Sequence, residues 1–300
     1  MINLIKKGLC FFLHYSGLTF LVRNILQKNK TTIIFYHNIR PELFDKHMTT
    51  LKKKYNIIPL RDYVNLKKSG SIDKLPPRSM IISIDDGYKE NFLLRDALKK
   101  HDIPITIFLC TGIVGTNKHF WFEHDIKNYD IEYLKKLTDE ERVKILSELG
   151  FEETAEHQDR QALSESEIDE MKSYVDFQSH TVTHPILPLC DYEKSFFEIS
   201  GSKIVLEQKF GQKTYAISYP NGGYSNRDIK IAKQSGYECG LTTETGLNSY
   251  ETDLFRLKRY YIPENTELNE LLVRASGIWD FMKNIALKSI TWIPLIPKQS

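Results

Sequence analysis

Two adjacent carboxylates end an apolar run in the stretch Ser79-Met80-Ile81-Ile82-Ser83-Ile84-Asp85-Asp86-Gly87-Tyr88. Neighbouring buried carboxylates repel and lose hydration, so a fold keeps such a pair only where something offsets the cost. A cation held by one of them does so and leaves the other free to act as a base. The ligands missing from that picture stand in Phe177-Gln178-Ser179-His180-Thr181-Val182-Thr183-His184-Pro185, where two histidines lie four residues apart. In a helical turn this spacing puts both imidazoles on one side, within reach of one ion. Two His and one Asp leave a coordination position open, as a catalytic rather than a structural zinc site does.

The chemistry that follows is hydrolysis. One carboxylate binds the metal, and the other takes a proton from a water that the metal has acidified. A tetrahedral intermediate then needs a backbone N–H donor, which the glycine-bracketed turn Pro220-Asn221-Gly222-Gly223 can supply. The leaving nitrogen needs an acid, and His37, directly after Thr31-Thr32-Ile33-Ile34-Phe35-Tyr36, is the candidate.

The elements that must carry these residues alternate as β and α. Strands are expected at residues 31–36, 79–84, 105–110, 175–178, 214–219, 239–242 and 257–262. Helices are expected at 44–55, 88–100, 192–210 and 226–235. This rhythm predicts an α/β fold with a mostly parallel sheet or barrel and helices outside. In such folds ligands bind at the carboxyl ends of the strands. His37, Asp85-Asp86, His180 and Pro220-Asn221-Gly222-Gly223 all follow strands, so parallel pairing brings them to one face. Residues 120–171 interrupt the rhythm with a polar helical insertion. Its expected parts include a helix at 139–149 and another opened by the capping box Ser164-Glu165-Ser166-Glu167. Trp121, at its start, is either a sugar-stacking face or an anchor for the insertion.

Together these motifs resemble the polysaccharide deacetylases of carbohydrate esterase family 4, the NodB-homology fold. Ser83-Ile84-Asp85-Asp86-Gly87 is similar to the family's T-F-D-D-G, His180-Thr181-Val182-Thr183-His184 to its H-S/T-x-x-H, and Tyr219-Pro220-Asn221-Gly222 to its P-P-Y/F-G. The resemblance covers residues 31–263 and implies a distorted (β/α)7-type barrel. It implies Asp85 as general base, Asp86, His180 and His184 as metal ligands, and the Asn221 backbone N–H as oxyanion donor. Tyr219 and Pro220 become substrate-contact candidates beside Trp121. The implied reaction removes an N-acyl group, usually acetyl, from an amino sugar. The implied cofactor is a divalent metal, Zn²⁺ with Co²⁺ or Ni²⁺ as alternatives. The family often carries Arg where this chain has Ser218; Arg259, or less readily Arg256, on the last strand is the substitute. The family's acid-bearing motif is absent from the C-terminal part, and Phe35-Tyr36-His37-Asn38 stands in its place. That order resembles the circularly permuted branch containing poly-N-acetylglucosamine deacetylases.

The resulting organisation is an apolar helical segment over residues 1–30, a catalytic domain over 31–265 and a helical, apolar tail over 266–300. Lys6-Lys7 precede an apolar run from Gly8 to Val22, with no small-x-small cleavage motif after it. The run is shorter than the roughly 20 residues needed to span a bilayer. An interfacial or core-docking helix is expected, so that the protein is cytoplasmic or peripherally membrane-associated rather than signal-anchored. Four scattered cysteines without a C-x-x-C fit buried, reduced thiols. A net charge of +2 gives no basis for nucleic-acid binding. The expected partner is an N-acetylated glycan or glycolipid. The alternatives are a deacetylase or deformylase of a lipid-linked amino sugar, and a carbohydrate-binding protein without turnover.

Overall fold

The structure is a computed structural model and describes residues 2–283. The chain opens with α1 (Ile2–Tyr15) and α2 (Leu18–Ile25), so the apolar N-terminal run is two helices. The break falls at Gly17, whose φ of 81° is left-handed and favours glycine. There follow β1 (Thr32–Tyr36), α3 (Pro41–Lys52), β2 (Asn56–Ile57), α4 (Leu60–Lys68), β3 (Ser79–Ile84), α5 (Arg95–His101) and β4 (Ile105–Leu109). The insertion carries α6 (Ile131–Leu134), α7 (Asp139–Glu148) and α8 (Glu165–Met171). Then come β5 (Val175–Ser179), α9 (Tyr192–Gln208), β6 (Ala216–Ser218), α10 (Asn226–Gln234), β7 (Cys239–Leu241), β8 (Tyr260–Tyr261) and α11 (Leu268–Ala275). Residues 284–300, the C-terminal part of the expected tail, lie outside the described residues, whereas its first part carries α11.

The strands form one parallel sheet in the order β7-β6-β5-β4-β3-β1-β8, with β2 pairing β3 beside this path. Every residue of β1, β3 and β4 is buried, as expected for strands covered on both faces. Alternation divides them. Ile34, Ile82 and Ile107 face an outer cluster with Phe44, Met48 and Leu98 from α3 and α5. Ile33, Ile81 and Phe108 face an inner cluster that α4 fills with Leu60, Tyr63 and Val64. The sheet therefore curls into the distorted barrel that the motifs implied.

The last seam of the barrel corrects one expectation. The final strand does not run from residue 257 to 262 as a unit. Leu257 instead pairs with β7: its N–H donates to Gly240 O at 3.0 Å, and Thr242 N–H donates to Leu257 O at 2.9 Å. The Arg259 N–H reaches Glu244 O at 2.9 Å, and only Tyr260–Tyr261 then pairs with β1. The chain thus changes partner at Arg259. Residues 88–100 are likewise not one helix but a 3₁₀ turn, Lys89–Leu94, followed by α5. The start is tied elsewhere, because Tyr88 bridges Ala162 and the Lys89 N–H donates to Gln161 O at 2.9 Å. The sequence pattern also left β2 and α4 unassigned.

The four cysteines are buried and free. Among the described residues no helix is long and apolar enough to cross a membrane. The N-terminal helices are fastened to the barrel. Buried Gln27 donates through Nε2 to Thr32 Oγ1 (2.8 Å) and Ala275 O (2.7 Å), and its Oε1 accepts from Tyr55 Oη at 3.1 Å. Gln27→Ala strands three buried polar groups and is expected to cost about 2–3 kcal/mol. A urea unfolding midpoint equal to wild type would show that the fastening contributes nothing.

Candidate active site

The carboxyl ends of β1, β3, β5 and β6 converge on one cleft of about 320 Å³, with His37, Asp85, Asp86, His180, His184 and Asn221 on its walls. Each arrives through a short, constrained connection. Asp86 and Gly87 both have left-handed backbones, with φ of 73° and 75°. A Cβ on Gly87 would lie 2.5 Å from Leu109 Cδ2, so only glycine lets the turn pass β4.

Asp85 and Asp86 then part ways. Asp85 points into the barrel, where both of its oxygens meet Arg259: Nη1 to Oδ1 and Nη2 to Oδ2, each at 2.8 Å. Ser218 Oγ accepts from Arg259 Nη2 at 2.9 Å and donates to Asp85 Oδ2 at 3.2 Å. The guanidinium is itself held by Nε to Thr242 O at 2.8 Å and lies 4.1 Å from the Phe35 ring. Burial is the largest single influence and would push the Asp85 carboxyl up, but the Arg259 charge, the His180 charge and the Arg259 hydrogen bonds together outweigh it, and the net displacement is downward.

Asp86 faces the histidines. Its Oδ1 lies 3.3 Å from His180 Nε2 and 3.5 Å from His184 Nε2, and all three residues are buried. His180 Nδ1 stands 2.8 Å from Ser218 O, an atom that can only accept, so this nitrogen carries a proton. In the neutral ring Nε2 therefore presents a lone pair toward the carboxylate. Asp86 Oδ1 has no hydrogen-bond partner within the protein despite its burial. Among the described residues these three form the group whose ligand atoms all lie within 4.8 Å of one another. An orphaned carboxylate oxygen beside two imidazole nitrogens fits a divalent cation, which all three donors can share.

The charges agree in sign. Burial favours the neutral form of Asp86, yet the His180 contact and the His37 and His184 charges outweigh it and hold the carboxyl far down. Burial pushes His184 down to about 3, so this ring is neutral and able to ligate. His180 is also pressed down by burial, but the Asp86 contact and the Asp85 charge turn its net displacement upward. The field that favours a proton on His180 favours a metal cation at the same place.

The His-x₃-His segment is not the helical turn that the spacing suggested. It is a loop in which Thr181 and His184 both have positive φ, 68° and 61°. Glu198 on α9, absent from the sequence expectations, braces it. Its buried carboxylate accepts from the Val182 and Thr183 N–H groups (2.8 and 2.9 Å) and from Thr183 Oγ1 (2.6 Å). The mid-helix position of Glu198 carried no signal, because its partners lie in the loop before α9.

The remaining candidates separate. His37 is half-buried at the cleft edge, its ring against Phe35 and Tyr261 at 5.5 and 5.2 Å. Asn221 has a φ of 53°; Gly222 and Gly223 use their N–H groups to close the turn on Tyr219 and Pro220, and Asn221 keeps its own. Tyr219 borders the cleft but is fully buried and stacked on Tyr224, while Pro220 is buried in the turn and does not border it. Trp121 does not face the cleft either. It is 4% exposed in the core of the insertion, and its Nε1 donates to His184 O at 2.9 Å. The aromatic wall is Phe122, 4.6 Å from the His184 ring, flanked by Ile131 and Lys135 of the insertion and by Tyr261. Arg256 pairs instead with Asn226 at the surface.

Because Arg259 and Asp85 are both buried, removing one leaves an uncompensated charge. Arg259→Met is expected to destabilise by about 3–5 kcal/mol, and adding Asp85→Asn should recover much of that loss. Chemical denaturation of the two single variants and the double variant measures this; additive costs would show that the residues act independently.

The model of the polysaccharide deacetylase family matches residues 73–240. YxkH of Bacillus subtilis, which carries the polysaccharide deacetylase name, is 27% identical over 244 residues, covering 77% of this chain and 70% of the relative. The poly-β-1,6-N-acetyl-D-glucosamine N-deacetylase of Staphylococcus epidermidis is 25% identical over 240 residues, covering 74% and 65%. Two solved structures share the fold. The Streptococcus pyogenes deacetylase PplD, determined with acetate, has a TM-score of 0.61 at 24% identity, covering 82% of this chain and 98% of that one. IcaB of Ammonifex degensii has a TM-score of 0.60 at 16% identity, covering 84% and 98%.

Proposed function

The chain belongs to the polysaccharide deacetylase family, and on that premise we propose that it hydrolyses N-acetyl groups from amino sugars of a glycan or glycolipid, using Asp85, Asp86, His180, His184, His37 and Asn221. One observation carries this reading: a buried, unpartnered Asp86 oxygen lies between two imidazoles, next to a second carboxylate that is clamped away from them.

In this reading Asp86, His180 and His184 hold the divalent ion, Zn²⁺ before Co²⁺ or Ni²⁺ given two nitrogen donors and one oxygen donor. An ion held there would supply Lewis acidity for the hydrolysis. Asp85 accepts the proton of the attacking water. Arg259 keeps it ionised and fixes its plane at the cleft wall. The Asn221 N–H donates to the oxygen on which charge develops. His37, at the cleft edge beside Tyr261, donates a proton to the departing nitrogen. Phe122 and Tyr261 offer apolar faces to a sugar ring.

Protein purified with zinc present is expected to hold about one ion per chain, and His180→Ala should lose it. Asp85→Asn should keep the ion while acetate release from N-acetylglucosamine oligomers falls by about 10²–10⁴-fold. Metal analysis and an acetate assay read the two effects separately, and full turnover by Asp85→Asn would remove Asp85 as the base. His37→Ala is expected to lower kcat with KM little changed; a loss confined to KM would make His37 a binding residue only.

A further inference from the structure

Among the described residues, the N-terminal helices bury one apolar face and leave another uncovered. On the inner side Cys10 and Leu13 pack against Val273 of α11 and Ile278 just after it. On the outer side Leu4, Phe11 and Tyr15 follow one another at helical spacing along α1, with Phe12 alongside, and Leu18, Leu21 and Ile25 continue the surface along α2. Tyr15 and Ile25 are each 67% exposed. A contiguous apolar surface of this kind on a folded protein marks a partner or a membrane. A helix pair that is apolar on both sides has one side still to be covered.

Charge identifies the partner. Residues 1–30 contain five Lys or Arg and no Asp or Glu. Lys6 and Lys7 pair with Glu270 and Glu267 of the barrel side, whereas Lys28 and Lys30 are exposed just past α2. An apolar helical face with cations at its border suits an anionic lipid surface, on which such helices lie flat. The surface also connects to the cleft. A groove of about 880 Å³ starts at Lys7 and Phe11 and runs to Tyr261 and Glu264, and these last two residues also line the cleft.

We propose that the outer face of α1 and α2 docks on an anionic phospholipid bilayer and that the groove admits an amino sugar held at that membrane by a lipid anchor. The substrate part of this inference rests on the deacetylase reading of the cleft; the docking part does not.

The test uses the full chain. Wild type is sedimented with vesicles of phosphatidylglycerol and phosphatidylcholine, and with vesicles of phosphatidylcholine alone. It should pellet with the first and much less with the second. Phe12→Glu/Ile25→Glu should weaken anionic-vesicle binding by at least about tenfold, since each change removes a large apolar side chain from the contact. The variant should release acetate from a soluble N-acetylglucosamine oligomer at the wild-type rate. It should be at least about tenfold slower on N-acetylglucosamine displayed on a diacylglycerol in anionic vesicles. Wild type that stays in solution with both vesicle types overturns the proposal. So does a wild-type dimer that the double substitution splits, because the face would then cover a second copy. Vesicle binding without acetate release from any substrate would sink the deacetylase reading and leave the docking intact.

Discussion

The site depends on the ion pair between Asp85 and Arg259. The two residues are 174 positions apart, fully enclosed, and matched oxygen to nitrogen through two parallel hydrogen bonds. Burying two charges costs several kcal/mol per ion, and the cost is met only when geometry is good and the remaining donors are satisfied. Both conditions hold. Thr242 O takes Nε, Ser218 Oγ shares Nη2, and Phe35 covers the guanidinium face. The pair also sits at the mechanical seam of the barrel, where the chain leaves β7 and joins β1. The contact therefore ties the backbone-paired seam of the barrel to the site and sets the direction of Asp85. With Asp85 turned inward, the adjacent Asp86 can face the imidazoles, and the doublet ceases to be a repelling pair.

Around this fixed centre the loops are strained, and the strain is local. Of the seven non-glycine residues with positive φ among those described, three line the cleft (Asp86, His184 and Asn221) and a fourth, Thr181, is buried in the loop that carries the histidines. Such conformations persist only where the surroundings over-determine them. Here the surroundings are specific. Glu198 captures two consecutive amides and a hydroxyl in the His180–His184 loop, and the Trp121 indole holds the carbonyl of His184. The helical insertion thus does more than roof the cleft. Its buried Trp121 fixes a histidine backbone, and its next residue, Phe122, supplies the cleft's aromatic wall.

Much of this was legible in the sequence, for a definite reason. Parallel strands buried on both faces read as continuous apolar runs, and polar residues directly after them can only emerge at one end of the sheet. That logic brought His37, Asp85, Asp86, His180 and Asn221 together without coordinates. What stayed hidden depended on side-chain direction or on distant pairing. Trp121 reads equally well as a sugar platform or an anchor, because its pattern does not say which side of the loop the indole takes. The spacing of His180 and His184 suggested a helix, whereas two left-handed residues achieve the same convergence in a loop. Glu198 is a mid-helix glutamate whose partners precede the helix, and α4 was missed although it fills the inner core.

Ser218 shows how the requirement for a guanidinium can outlast its place in the chain. The family resemblance puts an arginine at that position, on β6. Here the position holds a small hydroxyl, and the guanidinium comes from residue 259 across the barrel interior. The exchange works because Ser218 Oγ accepts from Arg259 and donates to Asp85, filling the space an arginine stem would need. The Ser218 carbonyl meanwhile sets the protonated nitrogen of His180. One small residue therefore touches both halves of the site: the clamp on Asp85 through its side chain and the proposed metal ligand through its backbone. An arginine introduced at 218 would bring a second cation against Arg259 in a space already filled. The two solutions are exclusive, and the seam at Arg259 commits this barrel to one of them.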